Sequence, residues 1–310
     1  DAVPAMLRGK QIIFAGDQKQ LPPTNFFRTG DNEEDYEEDD ELSDDALEGM
    51  ESILDVAVSQ TQLFDEAHLR VHYRSKDPTL IEFSNRYFYN ENPLLTFPST
   101  GKDNGYGIHD VFVENGIYKP GNASGARTNR IEAERVVDAV FDHFRESPID
   151  DSLGVVTFNR PQMDLITTLI DVRRRKEPDV EGRFSSELEE PFFVKNLENV
   201  QGDERDHIII SVTYGPVGDS GEVPQRFGIN RSGGERRLNV AVSRSRKRMT
   251  VVRSFHPSKI TTTTAGPRLL KRFLEHVMDP EGLFADTDAD VTAETESPFE
   301  DSVLAALESR

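Results

Sequence analysis

Three short apolar runs, LGVVTF (153–158), HIIISV (207–212) and MTVVRS (249–254), most constrain what this chain can fold into. Each is β-branched and continuous, and helical or polar stretches separate it from the next. A continuous run of that length reads as a strand buried on both faces, and strands alternating with helices imply a doubly wound parallel α/β sheet. FFVKNL (192–197) and GIHDVFVEN (107–115) add two more strands. QIIFA (11–15) reads as a further buried strand that delivers Gly16 and Asp17 to a sheet edge. Helices are expected over 52–58, over 78–89, from Asn129, from Pro161 and over 267–278. Asn129 is the expected cap of its helix, with Glu132 as capping-box partner.

The net charge of −21 is unevenly placed. Residues 31–51 hold 13 acids and no base, and residues 279–310 hold 10 acids and one Arg. The remainder has 34 acids against 35 bases, so it is neutral within one charge. Two acidic appendages on an ordinary body do not exclude a nucleic-acid partner, because a local basic face is enough. The chain has no cysteine, which removes disulfides and thiolate metal sites. No apolar run approaches the roughly 18 residues of a membrane span, and a cytoplasmic location is the default expectation.

The stretch Gly202–Val252 organises the rest. A polar turn containing Gly202 and Glu204 opens a strand, and RRLNVAVSRSRKR then gathers Arg236, Arg237, Arg244, Arg246, Lys247 and Arg248 around Leu238, Val240 and Val242, on what reads as an arginine-rich helix. Planar guanidinium forks match phosphate oxygens, so this unit is suited to presenting cations to phosphate at a sheet edge. Surface salt bridges are the ordinary alternative use of such arginines.

Five segments, in order, resemble the later motifs of superfamily 1 helicases, in the group related to the helicase of nonsense-mediated decay. GDQKQLPP (16–23) resembles motif III and LRVHYRS (69–75) motif IV. GVVTFNRPQ (154–162) resembles the nucleic-acid-contacting segments, NVQGDERDHIIIS (199–211) motif V and RRLNVAVSRSRK (236–247) motif VI. Together they span residues 11–252. The resemblance implies a RecA-like P-loop NTPase fold, an ATP cofactor with Mg²⁺, and a single-stranded nucleic acid as partner, DNA in preference to RNA. By the same resemblance Arg74 and Arg244 reach the γ-phosphate as arginine fingers, and Gln20 senses that phosphate or its attacking water. Tyr73 stacks on adenine, Gly202 permits close backbone approach, and Glu204 accepts from the ribose. Gly16 and Asp17 belong to the same nucleotide-facing segment, Asp17 tying it to its neighbours. Thr157, Asn159 and Arg160 are the expected contacts to the nucleic-acid backbone. The basic run Arg173–Lys176 either extends that face or is a solvated helix end.

No G-x-x-x-x-G-K-[ST] phosphate loop occurs in the sequence. The expected organisation is therefore a remnant of a first RecA-like domain (1–30), an acidic insert (31–51), a second RecA-like domain (52–278), an acidic linker (279–296) and the start of a further domain (297–310). SPFEDSVLAAL resembles the opening helix of a restriction-endonuclease-like domain appended to bacterial helicases; a tail docking on its own domain is the other reading. The Mg²⁺ ligands are expected upstream, in the rest of the first RecA-like domain, which is then the chain's partner. The fragment alone is expected to be inactive as an ATPase. Asp65–His68 spells DEAH, but no buried strand precedes it, and Gly101-Lys102 lacks the hydroxyl and the glycine of a phosphate loop. The histidines show no metal-ligand spacing. A non-catalytic nucleic-acid-binding or interaction module that keeps the fold, or a nucleotide sensor without translocation, remains the competing reading.

Overall fold

A run of isoleucines with no polar interruption can be satisfied only where both faces of a strand are covered, and that is where the chain puts it. The computed structural model describes residues 3–21, 52–98, 105–121, 125–230 and 233–282. The acidic insert 31–51, the Pro22-Pro23 end of the motif III segment, Gly101-Lys102 and the segment from 283 onward lie outside the described residues.

Toward the amino end stand α1 (Val3–Met6) and α2 (Ile53–Ser59), the latter capped by Ser52 Oγ, which accepts from the Asp55 amide at 3.2 Å. Two-residue strands β1 (Val71–His72) and β2 (Leu95–Thr96) pair in parallel on either side of α3 (Thr79–Phe88) in sequence. There follow β3 (Gly107–Phe112), a small antiparallel pair β4 (Tyr118–Lys119) and β5 (Thr128–Asn129), α4 (Arg130–Glu146), β6 (Leu153–Thr157) and α5 (Arg160–Arg174). The last elements are β7 (Phe193–Asn196), β8 (Arg205–Ser211), α6 (Gly234–Val242), β9 (Ser245–Arg253) and α7 (Ala265–Met278).

Five strands form one all-parallel sheet in the order β3-β9-β8-β6-β7. Alternate side chains of its central strands feed two separate cores. Ile208 and Ile210 of β8, Val156 of β6 and Met249 and Val251 of β9 pack with Leu80 and Phe83 of α3, Leu238 of α6 and Phe273 of α7. Ile209, Val155 and Val252 point the other way, against Val136 and Val140 of α4 and Ile166 and Ile170 of α5. Every residue of β6 and β8 is buried, whereas the edge strands β3 and β7 are partly exposed. Helices on both faces of a parallel sheet make this the doubly wound α/β architecture the apolar runs implied. Among the described residues, no helix is long and apolar enough to cross a membrane.

Three expectations need correction. QIIFA is irregular chain rather than a buried strand, and Ile13 is 82% exposed. The arginine-rich helix α6 ends at Val242, so Arg246, Lys247 and Arg248 lie on β9, where three partly exposed positions precede a fully buried run. Asn129 does cap α4, accepting from the Glu132 amide at 3.2 Å, but Glu132 does not return the bond. Its carboxylate turns into the core, and Gln162 Oε1 takes the Asn129 amide instead, at 2.9 Å. A buried side chain with several donors around it wins over a local cap.

Candidate nucleotide and nucleic-acid sites

Parallel strands begin together at one edge of the sheet, so segments far apart in sequence meet there. Arg244 immediately precedes β9 and Glu204 immediately precedes β8; the Arg205 amide donates to the Arg244 carbonyl at 3.1 Å. Arg244 is only 4% exposed. Its Nε donates to Val240 O at 2.8 Å, closing the last turn of α6, and its Nη2 donates to Ser243 Oγ at 2.8 Å and to Gln20 Oε1 at 3.4 Å. Arg74, beyond β1, arrives from the other side: its Nη1 donates to Ser243 O at 3.4 Å and its Nε pairs with Glu204 Oε2 at 2.6 Å. Burial first, and then the neighbouring Arg74, hold the Arg244 guanidinium below its ordinary value. Two cations thus converge on one residue. Arg244 makes no ion pair among the described residues.

Arg246 and Lys247 are differently placed. Arg246 binds Glu190, Asp206 Oδ1 at 3.0 Å and Glu204 Oε1 at 3.7 Å, and the hydrogen bonds to Glu190 raise its pKa further. Lys247 Nζ sits 2.7 Å from Asp151 and 3.2 Å from Asp206. Their charges are already matched by carboxylates.

Residues 16–21 dock against this edge. Asp17 Oδ2 accepts from Tyr89 Oη at 2.6 Å and from Gln20 Nε2 at 2.8 Å, and Asp17 Oδ1 accepts from the Lys19 amide at 2.9 Å. Burial, reinforced by Asp17, pushes the Tyr89 hydroxyl up to about 12. Asn239 of α6 donates to Lys19 O at 2.8 Å, and Gln201 donates to Leu21 O at 2.9 Å. Gly16 sits against the Leu54 side chain of α2. Gly202 adopts φ +88°, a left-handed conformation that favours glycine, with open space where a Cβ would stand. Tyr73 is 78% exposed beside Arg74. The structure therefore joins Gln20 to Arg244 and Glu204 to Arg74, links the two arginines through Ser243, and joins Asp17 through Gln20.

The residues expected to touch nucleic acid lie at the opposite, carboxyl edge, roughly 20 Å away across a seven-residue strand at about 3.3 Å per residue. Thr157 is fully buried and donates to Asn159 O at 2.8 Å. Asn159 caps α5, accepting from the Gln162 amide at 2.9 Å, and donates to Arg127 O at 3.0 Å. Both side chains are engaged inside the fold, and of the three expected contacts only Arg160 is exposed. Beside it lies a groove of about 670 Å³ lined by Lys119, Arg127, Thr128, Arg130, Asp164 and Thr168 among others. Its cations come from β4, the β4–β5 connection and the first turn of α4, so no contiguous motif announces them. Farther along α5, Arg173 pairs with Asp138 and Glu177 and lies over the Phe141 ring, and Arg174 pairs with Glu181.

Asp65–His68 is irregular, exposed chain, with His68 and Glu66 3.5 Å apart. Among the described residues, no group of three or more His, Asp or Glu side chains could hold a metal ion. The amino-edge cluster gathers two guanidinium groups and an amide around Ser243 and Arg244.

The sequence profile of an AAA domain family (AAA_12) matches residues 51–255. An "uncharacterized ATP-dependent helicase MG140 homolog" of Mycoplasma pneumoniae is 32% identical over 287 residues, covering 88% of this chain and 24% of that protein. Its Mycoplasma genitalium counterpart, MG140, is 33% identical over 288 residues with the same shares. The chain therefore spans about a quarter of the length of these curated relatives. The solved C-terminal domain of a possible DNA helicase from Lactobacillus plantarum aligns over 59% of this chain and 87% of its own, at 15% identity and a TM-score of 0.33, a likeness too low to bear on function.

Proposed function

The chain belongs to the AAA_12 family of AAA domains, and we propose that it is the arginine-bearing half of an ATP-dependent, superfamily 1 helicase or translocase. One observation carries the reading: a buried guanidinium, Arg244, with no carboxylate partner among the described residues, beside a second guanidinium, Arg74, and an amide, Gln20. Burying a cation without an anion is costly, and the cost falls when an anionic group is bound there. In this reading Arg74 and Arg244 hold the γ-phosphate end of ATP, and Gln20 lies between that phosphate and the Asp17–Tyr89 linkage. Glu204, which holds Arg74, also faces the ribose, and Tyr73 is free to cover the base.

The remaining phosphate and Mg²⁺ ligands belong to the first RecA-like domain of the full-length protein, so the fragment alone is inactive as an ATPase. The nucleic acid, DNA in preference to RNA, follows the carboxyl edge at Arg160 and the cationic groove beside it. Contacts there are to phosphate and sugar, so sequence preference is low. Kinship to the nonsense-mediated-decay helicase group, a cytoplasmic location and an appended nuclease-like domain belong to the same proposal, resting on the motifs and on SPFEDSVLAAL.

The test is polymer-stimulated ATP turnover by the full-length protein. Robust single-strand-stimulated turnover, lost in Arg244→Ala, is the expected result. Robust turnover by the 310-residue chain alone would overturn the half-site reading.

A further inference from the structure

We propose that Glu132 is a positioning residue for the nucleic-acid face, its two carboxylate oxygens setting the two sides of the cationic groove. The inference rests on the polymer reading given above. Glu132 is fully buried. Its Oε1 accepts from Ser211 Oγ at 2.7 Å and from the Thr213 amide at 2.6 Å; its Oε2 accepts from Ser254 Oγ at 2.6 Å and from Asn129 Nδ2 at 3.4 Å. Those partners stand at the carboxyl ends of β8 and β9 and at the head of α4. A carboxylate with no solvent contact and four donors is far more than the helix needs for its cap, which Asn129 already supplies.

Each oxygen governs one path to the groove. The Oε1 path runs through Thr213, which is held at φ +71°, a left-handed conformation that costs a β-branched residue roughly 1–3 kcal/mol and persists only where its surroundings enforce it. The turn so fixed leads to Pro216, whose carbonyl accepts from the Tyr118 amide at 2.9 Å, and the neighbouring Lys119 carbonyl accepts from the Arg127 amide at 2.6 Å. Tyr214 packs on Tyr118 with ring centroids 5.1 Å apart. Lys119 and Arg127 line the groove.

The Oε2 path runs through Ser254. Gly116 closes so tightly on it that a Cβ there would lie 2.2 Å from Ser254 Oγ, which fixes the loop leading into β4. Asn129 extends the network sideways. Gln162 bridges the Asn129 amide and carbonyl, at 2.9 and 3.1 Å, and the cap Asn159 then reaches Arg127 O. The head of α4, bearing Arg130, and the head of α5, bearing Arg160, are thereby registered to the same carboxylate. Burial pushes this carboxyl up to about 7, against the opposing effect of its hydroxyl and amide donors. The fold therefore keeps a costly group here that an apolar side chain would replace without that cost.

The experiment compares wild type, Glu132→Gln and Ser254→Ala in the full-length protein, measuring ATP turnover against single-strand concentration together with thermal melting. Glu132→Gln should raise the half-stimulating strand concentration about tenfold, the effect of about 1.4 kcal/mol, while turnover at saturating strand stays within about twofold and the melting temperature moves by only a few degrees. Ser254→Ala, which removes one donor without altering the carboxylate, should shift the same concentration about threefold and serves if Glu132→Gln fails to fold. An unchanged half-stimulating concentration in the folded variants overturns the inference while leaving the polymer reading intact. A proportional fall in maximal turnover and melting temperature shows a merely structural role and also overturns it. Absence of any strand stimulation in wild type overturns both.

Discussion

Lowering the pH from 7.5 to 5.5 should set the buried histidines of this protein against its buried Glu132, and Glu132→Gln should expose the balance. His143, His207 and His276 are each 6% exposed or less. His143 Nε2 lies 3.0 Å from Asp151 O, so that nitrogen carries the proton and Nδ1 is the acceptor; His207 Nδ1, 3.2 Å away, then donates to it. Protonating His143 would set two donors face to face. His276 donates from Nε2 to Thr79 O at 3.1 Å and has a buried Nδ1 with no partner, so its protonation would bury an unpaired N–H. Burial holds all three below 6.5. A group with a depressed folded pKa contributes stability above the unfolded value and loses it as the pH falls toward the folded one. Each of the three therefore loses stability as the pH falls below the unfolded value, by at most about 1.4 kcal/mol at pH 5.5. Glu132 acts in the opposite direction, because its folded value is raised to about 7 and protonation favours the native state as the pH falls, returning about 2 kcal/mol. Glu132→Gln removes that gain, so between pH 7.5 and 5.5 its urea midpoint should fall relative to that of wild type by roughly 0.7–1 M at an m-value of about 2–3 kcal/mol/M. Urea unfolding at the two pH values decides the matter: the same pH dependence in Glu132→Gln as in wild type would refute the reasoning.

Arg74→Ala in the full-length protein should lower ATP turnover about 10³-fold, as loss of an arginine finger does, and turnover within tenfold of wild type would exclude that role. Ile209→Ala opens a cavity in the core against α4 and α5 and should cost about 2–5 kcal/mol, measurable as a lower melting temperature. Gly202→Val forces a β-branched residue to φ +88° at the turn before β8 and should cost about 1–3 kcal/mol; because the space around it is open, an unchanged melting temperature would mean that the turn can relax.

The sheet was legible because its signal is local. HIIIS and GVVT are continuous apolar runs, and no element other than a doubly covered strand satisfies them. QIIFA misled for the same reason: it has a strand's composition, but it pairs with no strand among the described residues and Ile13 stays exposed, and pairing and burial rather than composition make a strand. The convergence of Arg74, Glu204 and Arg244 was legible only through motif resemblance, because the three lie on segments joined by nothing but the shared starting edge of the sheet. Thr157 closes β6 and Asn159 follows just beyond it, and sequence carries no sign that the Asn159 carbonyl takes the one and the cap of α5 the other. Glu132 was read as a capping residue because the three-residue spacing to Asn129 is visible, whereas Ser211, Thr213 and Ser254, which take its carboxylate away, lie 79 or more residues distant. The groove cations were missed because their grouping exists only after folding.

The central claim is that one edge of the sheet serves the nucleotide and the opposite edge serves the strand. It is tested most directly by setting Arg244→Ala beside the pair Lys119→Glu and Arg130→Glu in the full-length protein, with ATP turnover and single-strand affinity measured for each. Turnover lost with affinity retained in the first, and affinity weakened with maximal turnover still reached at high strand concentration in the second, is the predicted result. Loss of both properties together in either variant would contradict the account.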